Sequence, residues 1–362
     1  MAAVGILDAI GLLSGVLGIV QFGIDNVPKA ESVGSTVRVT VGLDMKGGLN
    51  NAGGDLPDIR LFNEVGEFLG IVADPGKVKS GSFGDITVKH NDNSGQQATY
   101  ALFSANNDAI CIAYTSITWP SGEKYAWIGD WGHKCGGSWY YSNVYIAASG
   151  QTPDCLWIDG NNDQPQTGFQ VHWPEFVSSA DNKVPQSMAD KDAEVHRLCT
   201  AGPPFKMHTY PDKDPRSITY WIPNHKRSTP DKRDAATAIA YGPPKHAASA
   251  RFRALENQAR SNNQTSTLPP MMSSLVIGSS EKHSAEGLCG SETSFGPDFL
   301  NTQTGMFCRM SDKTTWPVCD GGAIIDNCFN NNLNQLVING FATRDEPYKN
   351  IIDWTSGNSH YI

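Results

Sequence analysis

The sequence predicts a mainly β protein: an antiparallel β-sandwich, with an N-terminal apolar helix before it and a small disulfide-stapled C-terminal β domain after it. Three observations carry this. Short runs of alternating apolar and polar residues recur at roughly ten-residue spacing between residues 34 and 180, without helical periodicity between them. The 36 glycines and 21 prolines interrupt the chain too often for a coiled coil or helical bundle. The eight cysteines split into four up to Cys199 and four from Cys289 onward, as expected of disulfides formed separately in two modules.

Composition narrows the class further. With 39% hydrophobic and 18% charged residues, the 362-residue chain is too apolar to be disordered and long enough for two cores. Its 28 basic and 37 acidic side chains give a net −9, which argues against a nucleic-acid partner. The charge is unevenly spread: −9 over residues 1–180, +5 over 181–285 and −5 over 286–362.

Residues 1–30 form the first segment. Ala3 to Gly23 is apolar except for Asp8, Ser14 and Gln21, and no Lys or Arg precedes Lys29. Three readings fit: an atypical cleaved signal, a membrane-inserting or helix-pairing segment, and a helix buried on its own protein. Gly11-x-x-x-Gly15 is a spacing that lets two helices approach, so residues 3–23 are a candidate route to a homo-oligomer. Five glycines in 21 residues nevertheless make a poor isolated helix in water.

The sandwich is placed at 34–180. Ser35–Gly42 alternates Val37, Val39 and Val41 with Thr36, Arg38 and Thr40, the clearest strand in the chain. Further strands are expected at Ile59–Phe62, Phe68–Val72, Phe83–Lys89, Thr99–Ser104, Ala109–Thr118, Lys124–Gly129, Trp139–Ile146 and Gly168–Trp173. Met188–Cys199 reads as a helix closing the domain. Residues 181–285 are then a basic, proline-rich connector, with a short helix expected at Ala250–Arg260. The connector carries the dibasic pairs Lys226-Arg227 and Lys232-Arg233, which a processing protease of the secretory pathway would cut. The last domain, 286–362, is expected to hold strands at Leu336–Ala342 and Tyr348–Trp354.

The cysteines are Cys111, Cys135, Cys155, Cys199, Cys289, Cys308, Cys319 and Cys328. No C-x-x-C pair occurs, and the spacings match no common zinc pattern. Disulfides imply an extracellular protein; reduced, buried thiols in a cytoplasmic protein are the alternative.

The densest chemistry runs from Tyr114 to Tyr145, with nine Trp or Tyr in 32 residues. Flat aromatics beside Asp and Asn stack on the apolar face of a sugar, and the same rings suit a bilayer surface. Trp119, Trp127, Trp131, Trp139 and Tyr140 are the candidate contacts, with Asp130 as polar partner. The competing reading buries most of them in the core.

Catalytic signatures are sparse. G-x-S-x-G, H-E-x-x-H, G-x-G-x-x-G and the P-loop pattern do not occur. Asp130, His133 and Cys135 lie together in Gly129-Asp-Trp-Gly-His-Lys-Cys-Gly-Gly137, where a thiolate nucleophile is conceivable, although Cys135 serves better as a half-cystine. Glu123 and Glu175 are candidate carboxylates for glycoside hydrolysis. Asp159, Asn161 and Asp163 alternate as in a calcium loop, but Gln164 and Gln170 stand where an EF-hand needs Gly and Glu. No cofactor is expected, with calcium as the alternative.

The segment Ser294-Phe-Gly-Pro-Asp-Phe299 through Trp316-Pro-Val-Cys319 resembles the C-terminal part of uncharacterised secreted proteins of filamentous fungi. That resemblance covers under a quarter of the chain and implies an extracellular context, without an activity. The strand order ending in the Trp127–Tyr141 stretch is similar to lipid-facing β-sandwich modules of the PLAT type, with no binding residue carried over. The expected function is a secreted, non-catalytic protein that binds a glycan or membrane surface through the Trp/Tyr cluster. A hydrolase with a carboxylate or Asp130/His133 site is one alternative. A structural protein that self-assembles through the apolar helix and basic connector is the other.

Overall fold

The computed structural model describes residues 7–13, 16–42, 52–147, 149–161, 164–178, 185, 187–209, 218–221, 273–322, 324–342 and 348–355. Strands dominate, most of them in antiparallel pairs.

In the first sheet Gly34–Val41 lies between Phe83–Lys89 and Ile110–Thr118. The other edge of Ile110–Thr118 is divided: Lys124–Ile128 pairs with residues 114–118, and Asp154–Ile158 with residues 110–112. Trp139–Tyr141 is added outside Asp154–Ile158. The second sheet runs Phe205–His208, Gly168–His172, Tyr100–Ser104, Asp58–Phe62, Phe68–Val72, all antiparallel. The third runs Thr314–Pro317, Met306–Arg309, Asp298–Asn301, Ser274–Gly278, Asn350–Asp353, and its pairs with Ser274–Gly278 are parallel. A small sheet of Cys328–Asn330, Gln335–Ile338 and Phe341–Ala342 follows the third sheet's edge.

Gly34–Val41 shows why alternation alone misplaces solvent. Val37, Val39 and Val41 are buried as their period requires, but Ser35, Thr36, Arg38 and Thr40 are buried too. Ser35, Thr36 and Arg38 are tolerated there because each is paired. Arg38 makes a two-pronged contact with Asp85 at 2.7 and 2.8 Å and lies over the Phe83 ring at 3.7 Å. Thr36 meets Thr87 at 2.9 Å and Ser35 meets His90 at 3.0 Å.

The N-terminal segment departs from expectation. Leu7–Leu13 and Val16–Phe22 are antiparallel strands, with Leu7 opposite Phe22 and Leu13 opposite Val16. Among the described residues, this pair of strands stands where the helix was expected. Glycine weakens a helix by about 1 kcal/mol per residue, and the β-branched Ile10, Val16, Ile19 and Val20 favour an extended backbone.

Among its described residues, the stretch 181–285, expected as a connector, holds the following regular elements. Met188–Thr200 is the anticipated helix, its N-terminus capped by Ser187 accepting from the Asp190 amide. Phe205–His208 is an edge strand of the second sheet, and Ser274–Gly278 is central in the third. The helix expected at residues 250–260 and both dibasic pairs, Lys226-Arg227 and Lys232-Arg233, lie outside the described residues.

All eight cysteines are paired: Cys111–Cys155, Cys135–Cys199, Cys289–Cys308 and Cys319–Cys328. None of the bonds links the part before residue 200 to the part after 288. Loop closure of this size in the unfolded chain is worth about 2.5 to 4.5 kcal/mol per bond. The core ignores this division. One buried apolar cluster runs from Val27 through the first two sheets to Phe295, Phe299 and Ile352, while Leu275, Leu300, Phe307, Phe329, Leu336 and Tyr348 form a second.

Candidate functional site

The residues expected to contact a glycan or membrane are all buried. Trp127, Trp131 and Tyr140 have no exposed surface, and Trp119 and Trp139 have 1% and 2%. Trp119 donates to the Ala98 carbonyl at 3.0 Å and packs on Tyr125. Trp127 stacks with Phe169 and Phe205 of the second sheet, and Trp131 meets Phe176 edge-on. These strands are covered on both faces, so alternation gives no solvent face on which rings could stand. The aromatic density is real; in this structure its partners belong to the chain itself.

Trp139–Tyr141 explains why the residues are Trp and Tyr rather than Leu or Phe. Each of these rings has a polar end, and each end finds an acceptor in residues 284–297. Trp139 Nε1 donates to Ser291 Oγ at 2.9 Å, Tyr140 Oη to the Pro297 carbonyl at 3.0 Å and Tyr141 Oη to the Ser284 carbonyl at 3.0 Å. Trp157, one strand over, donates Nε1 to the Phe295 carbonyl at 2.9 Å.

Beside this seam lies the densest group of titratable side chains. The short helix Asp130–Lys134 places Asp130 and His133 on consecutive turns, facing the start of Asp154–Ile158. Gly129 permits that approach: a Cβ there would come within 2.3 Å of the Asp154 carbonyl oxygen. His133 Nδ1 lies 2.6 Å from Asp154 Oδ2, and the ring is stacked on Trp139 with centroids 3.6 Å apart. The Asp154 amide donates to Asp130 Oδ2 at 3.2 Å. Burial, and next the charge of Asp154, push the Asp130 carboxyl well above the usual range, so it holds a proton where an exposed aspartate would not. Across the seam His283 stacks on Tyr141 at 4.6 Å; burial lowers its pKa to about 4 despite the opposing charge of Asp154. Tyr141 is raised by burial and by the same carboxylate.

Of this group only Asp130 and His133 were singled out in the sequence. Asp154 and His283 were missed because the Asp154–Ile158 strand is short and follows Pro153, and because His283 is brought in from 129 positions away. Cys135, the other member of that motif, is bonded to Cys199 and offers no thiol.

A second group has a different build. His172, stacked on Tyr100, has Nε2 2.9 Å from Glu64 Oε2 and Nδ1 3.5 Å from Glu175 Oε1. Glu175 also receives Arg197 at 2.8 Å and Trp221 Nε1 at 3.0 Å. Burial raises the Glu175 carboxyl, but hydrogen bonding from His172 and the Arg197 charge outweigh it and leave it at about 2. Burial lowers His172, and its two glutamate partners more than reverse that. Glu123, proposed as the second carboxylate of a glycosidase pair, binds Ser121 and Gln97 instead, at 2.9 Å each. Such a closed network reads as a brace between the Met188–Thr200 helix and the second sheet.

The candidate calcium loop is occupied by its own backbone. Asp159 is fully buried, its Oδ2 accepts from the Asn161 amide at 3.2 Å, and Asn161 Nδ2 donates to the Asn107 carbonyl at 2.6 Å. Asp163 lies outside the described residues, and no three His, Cys, Asp or Glu among the described residues converge as metal ligands. In comparison with known proteins, no family model and no curated protein matches this chain.

Proposed function

We propose that the protein is an exported hydrolase in which His133, oriented by Asp154 and backed by Asp130, is the proton-transferring group. The observation that supports this reading is the 2.6 Å His133–Asp154 contact beside the buried Asp130 carboxyl, whose Oδ2 accepts from the Asp154 amide at 3.2 Å. An imidazole whose Nδ1–H is held by a carboxylate has Nε2 left for proton transfer. The His133 side chain is 36% exposed and Asp154 17%, so water reaches the ring while its partner is sheltered. In this reading Nε2 takes a proton from a water molecule as the water adds to an ester-type centre. Asp154 stabilises the imidazolium that forms, and the imidazolium then returns the proton to the leaving oxygen.

The four disulfides support an oxidising compartment, and no helix among the described residues is long and apolar enough to cross a membrane. Export of a fungal-type precursor, with cutting at the dibasic pairs, is part of the proposal. So is reading the first two sheets, which bury one core between them, as a sandwich.

The test is a panel of chromogenic carboxylic esters, phosphodiesters and glycosides assayed with the secreted protein, His133→Gln and Asp154→Asn. A substrate whose hydrolysis falls about 10²–10⁴-fold in His133→Gln would support the reading. Hydrolysis unchanged in both variants, or absent across the panel, would contradict it.

One observation favours a second reading, a non-catalytic surface binder. Ile325, just before the small C-terminal sheet, and Phe341, in its last strand, are 66% and 77% exposed, and the Gly340 amide donates to Asp326 Oδ1 at 2.9 Å, joining the residues next to them. Glycan-array or liposome binding lost in Ile325→Ser/Phe341→Ser, with no hydrolysis detected, would select this reading.

A further inference from the structure

We propose that residues 273–355 are a self-sufficient noncovalent partner of residues 7–221, so that the protein persists as a two-chain complex once the backbone between residues 221 and 273 is cut. This is independent of any activity at His133.

Covalent bookkeeping comes first. Cys111–Cys155 and Cys135–Cys199 close the first part, Cys289–Cys308 and Cys319–Cys328 close the second, and all eight cysteines are used. Only the backbone therefore joins the two parts. Each retains its own braces after a cut.

The hold between them resembles an interface core. Trp139 and Ser294 form a parallel bridge, in which the Trp139 amide donates to Thr293 O at 3.2 Å and the Phe295 amide to Trp139 O at 2.8 Å. The indole and phenol donors of Trp139, Tyr140, Tyr141 and Trp157 fasten the same segment at 2.9–3.0 Å. Aromatic anchors in desolvated pockets are the residues that dominate association energies. Fit is tight where the chains cross: a Cβ on Gly296 would come within 2.3 Å of the Tyr140 ring. Phe295, Phe299, Leu288 and Ile352 continue the main core rather than ending it.

The sequence makes a cut plausible chemistry, since the intervening stretch holds both Lys-Arg pairs. The proposal itself concerns the interface that remains.

The experiment uses the full chain with a recognition sequence for a site-specific protease inserted after residue 245, cut after folding. On a denaturing gel without reductant the product should run as two bands. On a native sizing column it should elute as one species of the uncut mass. Tyr140→Phe, which removes only the hydroxyl bonded to Pro297, should weaken retention of the second chain about tenfold, and Gly296→Val should release it. Uncut variants with all four disulfides present by mass control for folding. Separation of the wild-type pieces on the native column would overturn the proposal, as would a single band without reductant. Resistance to cutting would overturn it too, because the connection would then be part of the hold.

Discussion

His133 lies flat against Trp139, ring centroids 3.6 Å apart, while Trp139 donates its indole N–H to Ser291 Oγ at 2.9 Å. One aromatic residue thus touches the proposed proton-transferring imidazole on one side and the C-terminal part on the other. The candidate site and the seam are neighbours, so changes at the seam should be felt at His133.

The first prediction concerns Glu175. Its folded pKa of about 2 lies below the ordinary 4.5, so its contribution to stability is complete above about pH 4.5 and is lost as pH falls toward 2. His172 runs the other way, because its raised pKa gives stability that is lost as pH rises through the folded value. Glu175→Gln removes the negative charge that His172, Arg197 and Trp221 converge on and turns one of its two acceptor oxygens into a donor, and should cost about 3–5 kcal/mol at neutral pH by denaturant unfolding. A change under 1 kcal/mol would show that the network is solvated.

His283 gives the second. It is buried against Tyr141, Phe299 and Trp354, with Asp154 favouring and Lys282 opposing its protonation. With a folded pKa of about 4 against an ordinary 6.5, it leaves stability intact above about pH 6.5 and lowers it as pH falls through that interval to 4. The full loss is on the order of 3 kcal/mol. Asp130 has the opposite sign, since its raised pKa favours the folded state in acid. The two are separated by comparing Tm between pH 7 and 4.5 in wild type and His283→Gln: the variant should lose less on acidification.

A third prediction is local to Cys135–Cys199, which ties the Asp130–Lys134 helix to Met188–Thr200. Replacing both cysteines by Ala should destabilise the protein by about 2–5 kcal/mol. Hydrogen exchange should rise most in residues 130–135 and 188–200. Exchange rising equally everywhere would place the bond's effect in the unfolded chain alone.

Much of the β structure was legible because strand signals are local. The alternation in residues 34–41, the β-branched run at 110–118 and the Gly/Asn/Asp breaks between strands all reappear as elements. The eight cysteines, four and four, also predicted modules braced separately. What failed was everything set by distant packing. Arg38 reads as a solvent-facing residue until Asp85 and Phe83 are placed around it. Tyr140 reads as a ligand contact until the Pro297 carbonyl, 157 positions later, accepts a hydrogen bond from its hydroxyl. Ser274–Gly278 looks like the end of a connector because its parallel partners are supplied by residues 298–301 and 350–353. His133 was visible in its motif, but the carboxylate that orients it was not.

The most direct test of the account is the rate of hydrolysis against pH for wild type, His133→Gln and Asp154→Asn on whichever ester-type substrate the panel yields. The account expects a loss of about 10²–10⁴-fold in His133→Gln and a smaller loss in Asp154→Asn across the profile. Superimposable profiles in all three proteins would mean that this imidazole moves no proton in the reaction.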